Sequence, residues 1–381
     1  MVLFVFPHFT YPGGAGKFVL ETADRLAKRG LDTAVLALSG NADIISGYPH
    51  IRFHFIGGPL PNTFAHWIGF AGLAKRIEQT ISELRADVLF PQVFPANYWS
   101  FLYKRSHSDI PCIWYCQEPS AFVHNLDVIM GLKGPIKGAA LISNPFFQWL
   151  DRKLVSYADT ILVNSQYTAG QVKKIYHRPA TVVYPGVDIE RYTPGQCKEE
   201  FVFVIGRLTK FKRIDLALKA IALAKQRGDK IPLIIGGDGE ERANLMKLAQ
   251  WLKLNDQVQF VGRLSDEELL SYLRRAKFVV FPTTNEPFGL VPVEAMACGT
   301  PVIVSDSGGP RETVIQGETG LLFKAGSDVD LADKIQLMWN NGDLINRMSF
   351  RARKHAEEKF GWDGVADKLA KIFQELPGRM Q

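Results

Sequence analysis

Along nearly the whole chain, short apolar runs alternate with longer amphipathic stretches, and few architectures accept that pattern. The runs fall at 2–6, 33–38, 87–90, 160–163, 201–205, 232–235, 257–261, 278–281 and 301–304. They are apolar almost without interruption rather than at every second residue, as strands buried on both faces require. Between them, 17–29, 215–227, 240–252 and 265–276 carry helical spacing. Strand–helix alternation repeated this often predicts parallel sheets with helices on both faces. The pattern also restarts: Tyr184-Pro185-Gly186 and Thr193-Pro194-Gly195 form a turn-rich break before a new run at Phe201. A chain of 381 residues has room for two such domains, and the boundary is placed near residue 190. Open α/β domains bind ligands at the carboxyl ends of their strands, so two facing domains would form a functional cleft there.

Other classes are excluded by what is scarce. The four cysteines, Cys112, Cys116, Cys197 and Cys298, are too scattered for a disulfide framework and include no CxxC pair that would suggest zinc. They read as reduced thiols of a cytoplasmic protein. Met1 to Phe6 has no charged leader and runs into a Gly-Gly turn, so it reads as a first strand rather than a signal peptide. No stretch reaches the roughly 18 apolar residues of a spanning helix. The net charge of +6 is uneven: residues 1–187 hold 17 Lys and Arg against 12 Asp and Glu, residues 188–381 hold 28 against 27. A basic first half suits anionic partners such as phosphates or lipid head groups. Nucleic acid is set aside, because no recognition motif or regular aromatic-basic interleaving accompanies the charge.

Three segments could carry chemistry. Gly13-Gly14, in Tyr11-Pro12-Gly13-Gly14-Ala15-Gly16-Lys17, joins the first strand to the first helix; it serves either as a tight turn or as a place where backbone amides approach an anion. Phe18 and Val19 exclude a P-loop and a full GxGxxG. Gly206-Arg207-Leu208-Thr209-Lys210-Phe211-Lys212-Arg213 puts four cations just after a strand, either as a solvated loop or as a diphosphate grip. In Thr284 to Gly299, Glu286 falls in a loop and Glu294 inside the following helix. That helix would aim its first amides at a phosphate while Glu294 accepts from sugar hydroxyls.

The segments GRLTKFKRIDLALKA, IIGGDGEER, VQFVGRLSDEEL and FPTTNEPFGLVPVEAMACGTPVIVSDSGGPRETV, with VNSQYTAGQV and VVYPGVDIERYTP before them, resemble the retaining, nucleotide-sugar-dependent glycosyltransferases of family 4. The resemblance implies an α/β GT-B fold, two Rossmann-like domains with parallel sheets facing across a cleft. Residues 1–189 would bind the acceptor, 190–360 the nucleotide sugar, and 361–381 would form a helix packing back on the first domain. It further implies that Arg207 and Lys212 grip the donor diphosphate and Glu294 the ribose. Glu286 would contact the donor sugar, and the Phe288, Gly289 and Leu290 amides would face sugar and phosphates. Gly237, Asp238 and Gly239 would line the same pocket, Arg263 and Leu264 would lie beside the base, and Gly13 and Gly14 would approach the reaction centre.

Negative charge builds on a departing diphosphate, so fixed cations and helix amides can stabilise it without a metal. No DxD signature occurs, and Ser305-Asp306-Ser307-Gly308-Gly309 reads as a phosphate-side turn. The expectation is therefore no cofactor and no metal. Where many relatives have His, this chain has Gln117, which cannot take a proton but can bond a hydroxyl; Glu118 or His124 would supply part of that contact, and an ordinary structural role is the other reading of His124. The donor is read as GDP-mannose first and UDP-glucose second, the acceptor as a glycan, lipid-linked or small molecule. Segments 64–77 and 129–149 mix apolar, aromatic and basic residues, suiting either core packing or contact with an anionic membrane at its cytoplasmic face. A sugar-nucleotide or polysaccharide binding protein on the same scaffold is the rival of a different class.

Overall fold

A computed structural model of the chain describes residues 1–10, 13–60, 70–124 and 134–376. The chain divides into two compact units, one of Met1–Tyr184 with Trp362–Gln381 and one of Pro185–Gly361.

The first unit is built on β1 (Val2–Val5), β2 (Thr33–Ala37), β3 (Arg52–Phe55), β4 (Val88–Pro91), β5 (Ile113–Cys116), β6 (Thr160–Val163) and β7 (Thr181–Val182). They form a sheet of order β3-β2-β1-β4 and a second of order β5-β6-β7, every pair parallel. A parallel bridge between Leu89 and Cys112 adjoins the two. Both faces are covered, which is why β1, β2, β4 and β5 are buried at every position. On one face Phe18 stacks on Tyr115 at 3.9 Å between ring centroids. Trp362, Val365, Leu369 and Phe373 of the last helix, Trp362–Gln374, complete that core, with Phe373 set edge-on to Phe90 at 5.1 Å. Each fully buried side chain of this size contributes about 1.5–3 kcal/mol. Arg29 adds hydrogen bonds to Asp363 (2.9 Å) and Asp367 (2.8 Å) on the same helix.

The second unit carries β8 (Glu199–Ile205), β9 (Leu233–Gly236), β10 (Val258–Gly262), β11 (Ala276–Phe281), β12 (Val302–Ser305) and β13 (Gly320–Phe323) in one parallel sheet of order β10-β9-β8-β11-β12-β13. Its core joins the inner residues of these strands to the apolar faces of helices Ile214–Gln226 and Asp328–Trp339. The strand order reverses once in the β3-β2-β1-β4 sheet, between β1 and β4, and once in the sheet of the second unit, between β8 and β11. Helices diverge to opposite sides at such a switch point and leave a crevice beyond the carboxyl ends of the strands.

Candidate active site

The crevice of the second unit is bounded by the loops that leave β8 and β11. After β8 the chain passes Gly206 and Arg207, makes a short 3-10 turn at Lys210–Lys212, and enters helix Ile214–Gln226 through Arg213 at φ +49°. Three of the loop's four cations, Arg213, Arg207 and Lys212, differ in their partners. Arg213 donates to Asp215 at 3.1 and 3.3 Å, and Lys219 donates to the same carboxylate at 3.1 Å. Burial would raise the Asp215 carboxyl, but these hydrogen bonds outweigh it and hold it below its usual range. Arg213 is thereby committed to the helix start. Arg207 is exposed, and its guanidinium makes no ion pair with the described residues. Lys212 Nζ donates to Glu286 Oε2 at 2.7 Å and stands 5.5 Å from the centroid of the Phe281 ring. Both members of the pair are about one-quarter exposed, 25% and 24%. Residues 74 apart in sequence thus meet across the β8/β11 switch point.

Close backbone packing fixes the remaining walls. A Cβ on Gly237, whose φ is +109°, would stand 1.9 Å from the Gly206 carbonyl oxygen, and one on Gly239 would stand 2.5 Å from that of Leu208. Only glycine allows the loop after β9 to lie this near the loop after β8. Asp238 contributes its backbone, accepting from the Leu208 amide at 3.0 Å. Arg263 is exposed just beyond β10, and Leu264 is half-buried beside it. On the other side, Gly309 donates its amide to the Glu286 carbonyl at 2.8 Å, and a Cβ on Gly309 would stand 2.1 Å from the Pro287 carbonyl oxygen. The 305–309 turn therefore supports the Glu286 loop from behind, while Asp306 is engaged with Arg311 at 3.0 Å. Gly289, at φ +86°, caps helix Leu290–Ala297. Phe288 is buried, so its ring belongs to the core and its backbone alone can serve a ligand; Glu294 is also buried within the helix. Lys212 and Glu286 meeting between the β8 and β11 loops, with Arg207 in the first loop and helix Leu290–Ala297 leaving the second, suit a diphosphate attached to a polyol.

In the first unit, Gly13 caps helix Gly14–Lys28, with Gly14 its exposed first residue. Gln117 and Glu118 follow β5 directly. Gln117 accepts at its carbonyl from Asn164 Nδ2 at 2.8 Å, its Nε2 lies 3.5 Å from Gln92 Oε1, and Glu118 is exposed. His124 is placed otherwise: its side chain is 7% exposed and its Nε2 lies 2.6 Å from Asp151 Oδ2. Asp151, with Tyr98, Ser120 and Tyr176 around it, went unnoticed in the sequence; its signal was an acid on the apolar face that Leu154 and Val155 share. The aromatic-basic segment 64–77 lies outside the described residues at 64–69, and the segment 129–149 does so at 129–133.

Residues 191–355 match the family model for glycosyl transferases group 1, and residues 12–191 that for Glycosyltransferase Family 4. The D-inositol 3-phosphate glycosyltransferase of Rhodococcus erythropolis is 28% identical over 401 residues, covering 95% of this chain and 86% of that protein. The enzyme of the same name from Corynebacterium jeikeium is 32% identical over 251 residues, 60% of each chain. Among solved structures, Anabaena HepE in complex with UDP aligns with a TM-score of 0.79 at 21% identity, over 98% of this chain and 100% of that one. Sucrose-phosphate synthase from Thermosynechococcus elongatus aligns at 0.81 and 20% identity, over 98% of each. The fold is the GT-B fold of glycosyltransferases.

Proposed function

We propose, from the premise that this chain belongs to the family 4 glycosyltransferases whose group 1 model describes its second half, that the group it transfers is a hexose carried on a nucleoside diphosphate. The observation that carries this reading is the Lys212–Glu286 pair at 2.7 Å across the β8/β11 switch point, with exposed Arg207 in the same loop as Lys212. When a diphosphate enters, Lys212 and Arg207 neutralise it, the amides at the start of helix Leu290–Ala297 add their dipole, and Glu294 accepts from the ribose. Gly237, Gly239 and Leu264 line the donor site, with Arg263 beside the base. Glu286 is then released towards the sugar.

Transfer proceeds with retention by same-face attack. The acceptor oxygen bonds to the anomeric carbon as the bond to the β-phosphate breaks, and the acceptor proton passes to the departing phosphate oxygen. The cations carry the leaving-group charge, so no metal is required for the step. A neighbour solved with UDP-glucose supports a UDP-linked hexose over GDP-mannose, the donor favoured from the sequence. Relatives named for D-inositol 3-phosphate support a polyol hydroxyl as acceptor.

We further propose that the first unit touches an anionic membrane from the cytoplasmic side. Among the described residues no helix is long and apolar enough to cross a membrane. Helix Gly134–Val155, however, exposes Ile142 (85%), Phe146 (58%) and Trp149 (58%) at i, i+4 and i+7. Its single acid, Asp151, is buried, while Arg152 and Lys153 are exposed. Aromatics flanked by cations without acids suit an interface of anionic lipid.

Hydrolysis of a panel of nucleotide sugars, UDP-glucose, UDP-N-acetylglucosamine and GDP-mannose among them, tests the reading. One donor should be turned over by the wild type and not by Glu294→Ala; wild-type inertness towards the whole panel would overturn it.

A further inference from the structure

We infer that Asp151 is a positioning residue of the first unit's site, holding through His124 and Ser120 the segment 117–124 that carries Gln117 and Glu118. The carboxylate is wholly buried, at 0% exposure. Its Oδ1 accepts from the Tyr98 hydroxyl at 2.5 Å and Ser120 Oγ at 3.2 Å. Its Oδ2 accepts from the Tyr176 hydroxyl at 2.7 Å and from His124 Nε2 at 2.6 Å. A carboxylate only accepts, so His124 carries a proton on Nε2, and four donors occupy the roughly four lone-pair sites of the group.

These donors gather neighbouring connections onto one atom pair. Tyr98 lies on helix Ala96–Ser106 after β4, Ser120 and His124 on the connection after β5, and Tyr176 at the end of helix Gln166–Tyr176 after β6. The other end of the 117–124 segment is also tied. Asn164 Nδ2 donates to the Gln117 carbonyl at 2.8 Å, and Asn164 Oδ1 is itself held by Thr168 Oγ1 at 2.7 Å. Gln117 and exposed Glu118 thus stand beside one fixed point and ahead of another, at the carboxyl edge of β5 where an α/β sheet presents its ligands.

Stability does not account for this arrangement. Apolar residues of equal volume in place of a buried charge are commonly neutral or stabilising, whereas a half-satisfied polar cluster costs more than none. What a saturated carboxylate adds is a defined position for the groups bonded to it. His124 then works as a strut: its ring is under the surface and its Nε2 is committed to Asp151.

The assignment rests on the transferase reading, and two readouts separate their failures. The first needs no turnover. By hydrogen exchange, His124→Ala should speed exchange of the 117–124 amides and leave the second unit unchanged, while His124→Gln, whose Nε2 donates over a similar reach, should restore protection. The second is kcat and KM for hydrolysis of UDP-glucose or GDP-mannose, with UDP or GDP affinity measured alongside. His124→Ala should lower kcat/KM by on the order of 10²-fold, as a small misplacement does, with nucleotide affinity unchanged. His124→Gln should recover most of it with the wild-type pH profile. Unchanged exchange in His124→Ala, or a His124→Gln variant as impaired as His124→Ala that loses a limb of the pH profile, would overturn the inference. If His124→Ala does not fold, Ser120→Ala, which removes one donor and little volume, should raise exchange in the same segment, and failure to do so is equally decisive. A wild type inert towards every donor would count against the transferase reading while leaving the exchange result to judge Asp151.

Discussion

Removing Lys212 should separate catalysis from stability. At 2.7 Å and an effective dielectric near 20, the gross attraction between Lys212 and Glu286 is about 6 kcal/mol. Both side chains are one-quarter exposed, however, and water and side-chain entropy cancel most of that, leaving about 0.2–1 kcal/mol net for a pair of this kind. For a domain of this size Lys212→Ala should therefore lower the melting temperature by no more than about 4 °C. The loss in turnover should be far larger. A fixed donor aimed at charge that develops on a leaving group is worth about 10²–10³ in kcat, or roughly 2.7–4 kcal/mol. The companion variant, Glu286→Gln, tests the same geometry from the other side. In the proposed site Glu286 competes with phosphate for Lys212, so neutralising it should tighten UDP or GDP binding by up to about five-fold, the equivalent of about 1 kcal/mol. Melting curves, titration calorimetry with the nucleotide, and single-turnover hydrolysis of the accepted donor supply the measurements. Wild-type turnover in Lys212→Ala, or weakened nucleotide binding in Glu286→Gln, would refute the assignment.

Gly237→Ala should destabilise the second unit by about 2–5 kcal/mol, because the added Cβ meets the Gly206 carbonyl at 1.9 Å and φ is positive, penalties of about 1–3 and 1–2 kcal/mol; an unmoved urea midpoint would contradict the packing argument. On the proposal that Arg207 and Lys212 carry the leaving-group charge, transfer should persist in excess EDTA, and its abolition would show that a metal does so instead. Ile142→Ser combined with Phe146→Ser and Trp149→Ser should reduce sedimentation with vesicles rich in anionic lipid, and wild-type binding should weaken with salt; equal binding by the variant would remove that helix from the interface. Burial lowers the Lys198 ammonium from 10.5 to about 8, so across that interval the unfolded chain binds more protons and stability rises with pH. In Lys198→Met the rise should flatten, and an unchanged slope in urea melts at several pH values would refute it.

The sheets were legible where strands are buried on both faces, because continuous apolar runs leave no other period to read. The run at 33–38 became β2 and that at 278–281 the end of β11. Strands that escaped notice are the short or edge ones. β3, Arg-Phe-His-Phe, is half exposed and mixes charge with aromatics, and β7 has only 2 residues. β5, Ile-Trp-Tyr-Cys, is fully buried, yet its four residues sit between polar and Pro-containing neighbours and make too short a run to stand out.

The site shows why legibility stops where it does. Loop composition named Arg207, Lys212 and Glu286 one by one, since each follows a strand, but periodicity reports neighbours within a few residues and says nothing of a meeting between residues 212 and 286. That meeting is decided by strand order: β8 and β11 are adjacent only because the chain turns outward to β10 and then returns to the other side of β8. The Asp151 cluster is a stronger case, because Tyr98, Ser120, His124 and Tyr176 come from connections after successive strands and share no motif. What such a cluster leaves in the sequence is a contradiction, an acid on a helix face otherwise given to Leu154 and Val155. Burial without partners would cost too much for that acid to stay, so the contradiction itself requires hydroxyl or imidazole donors from elsewhere in the chain. An acid on an apolar face therefore marks a convergence point before any coordinates exist, although which side chains converge there is fixed by topology alone.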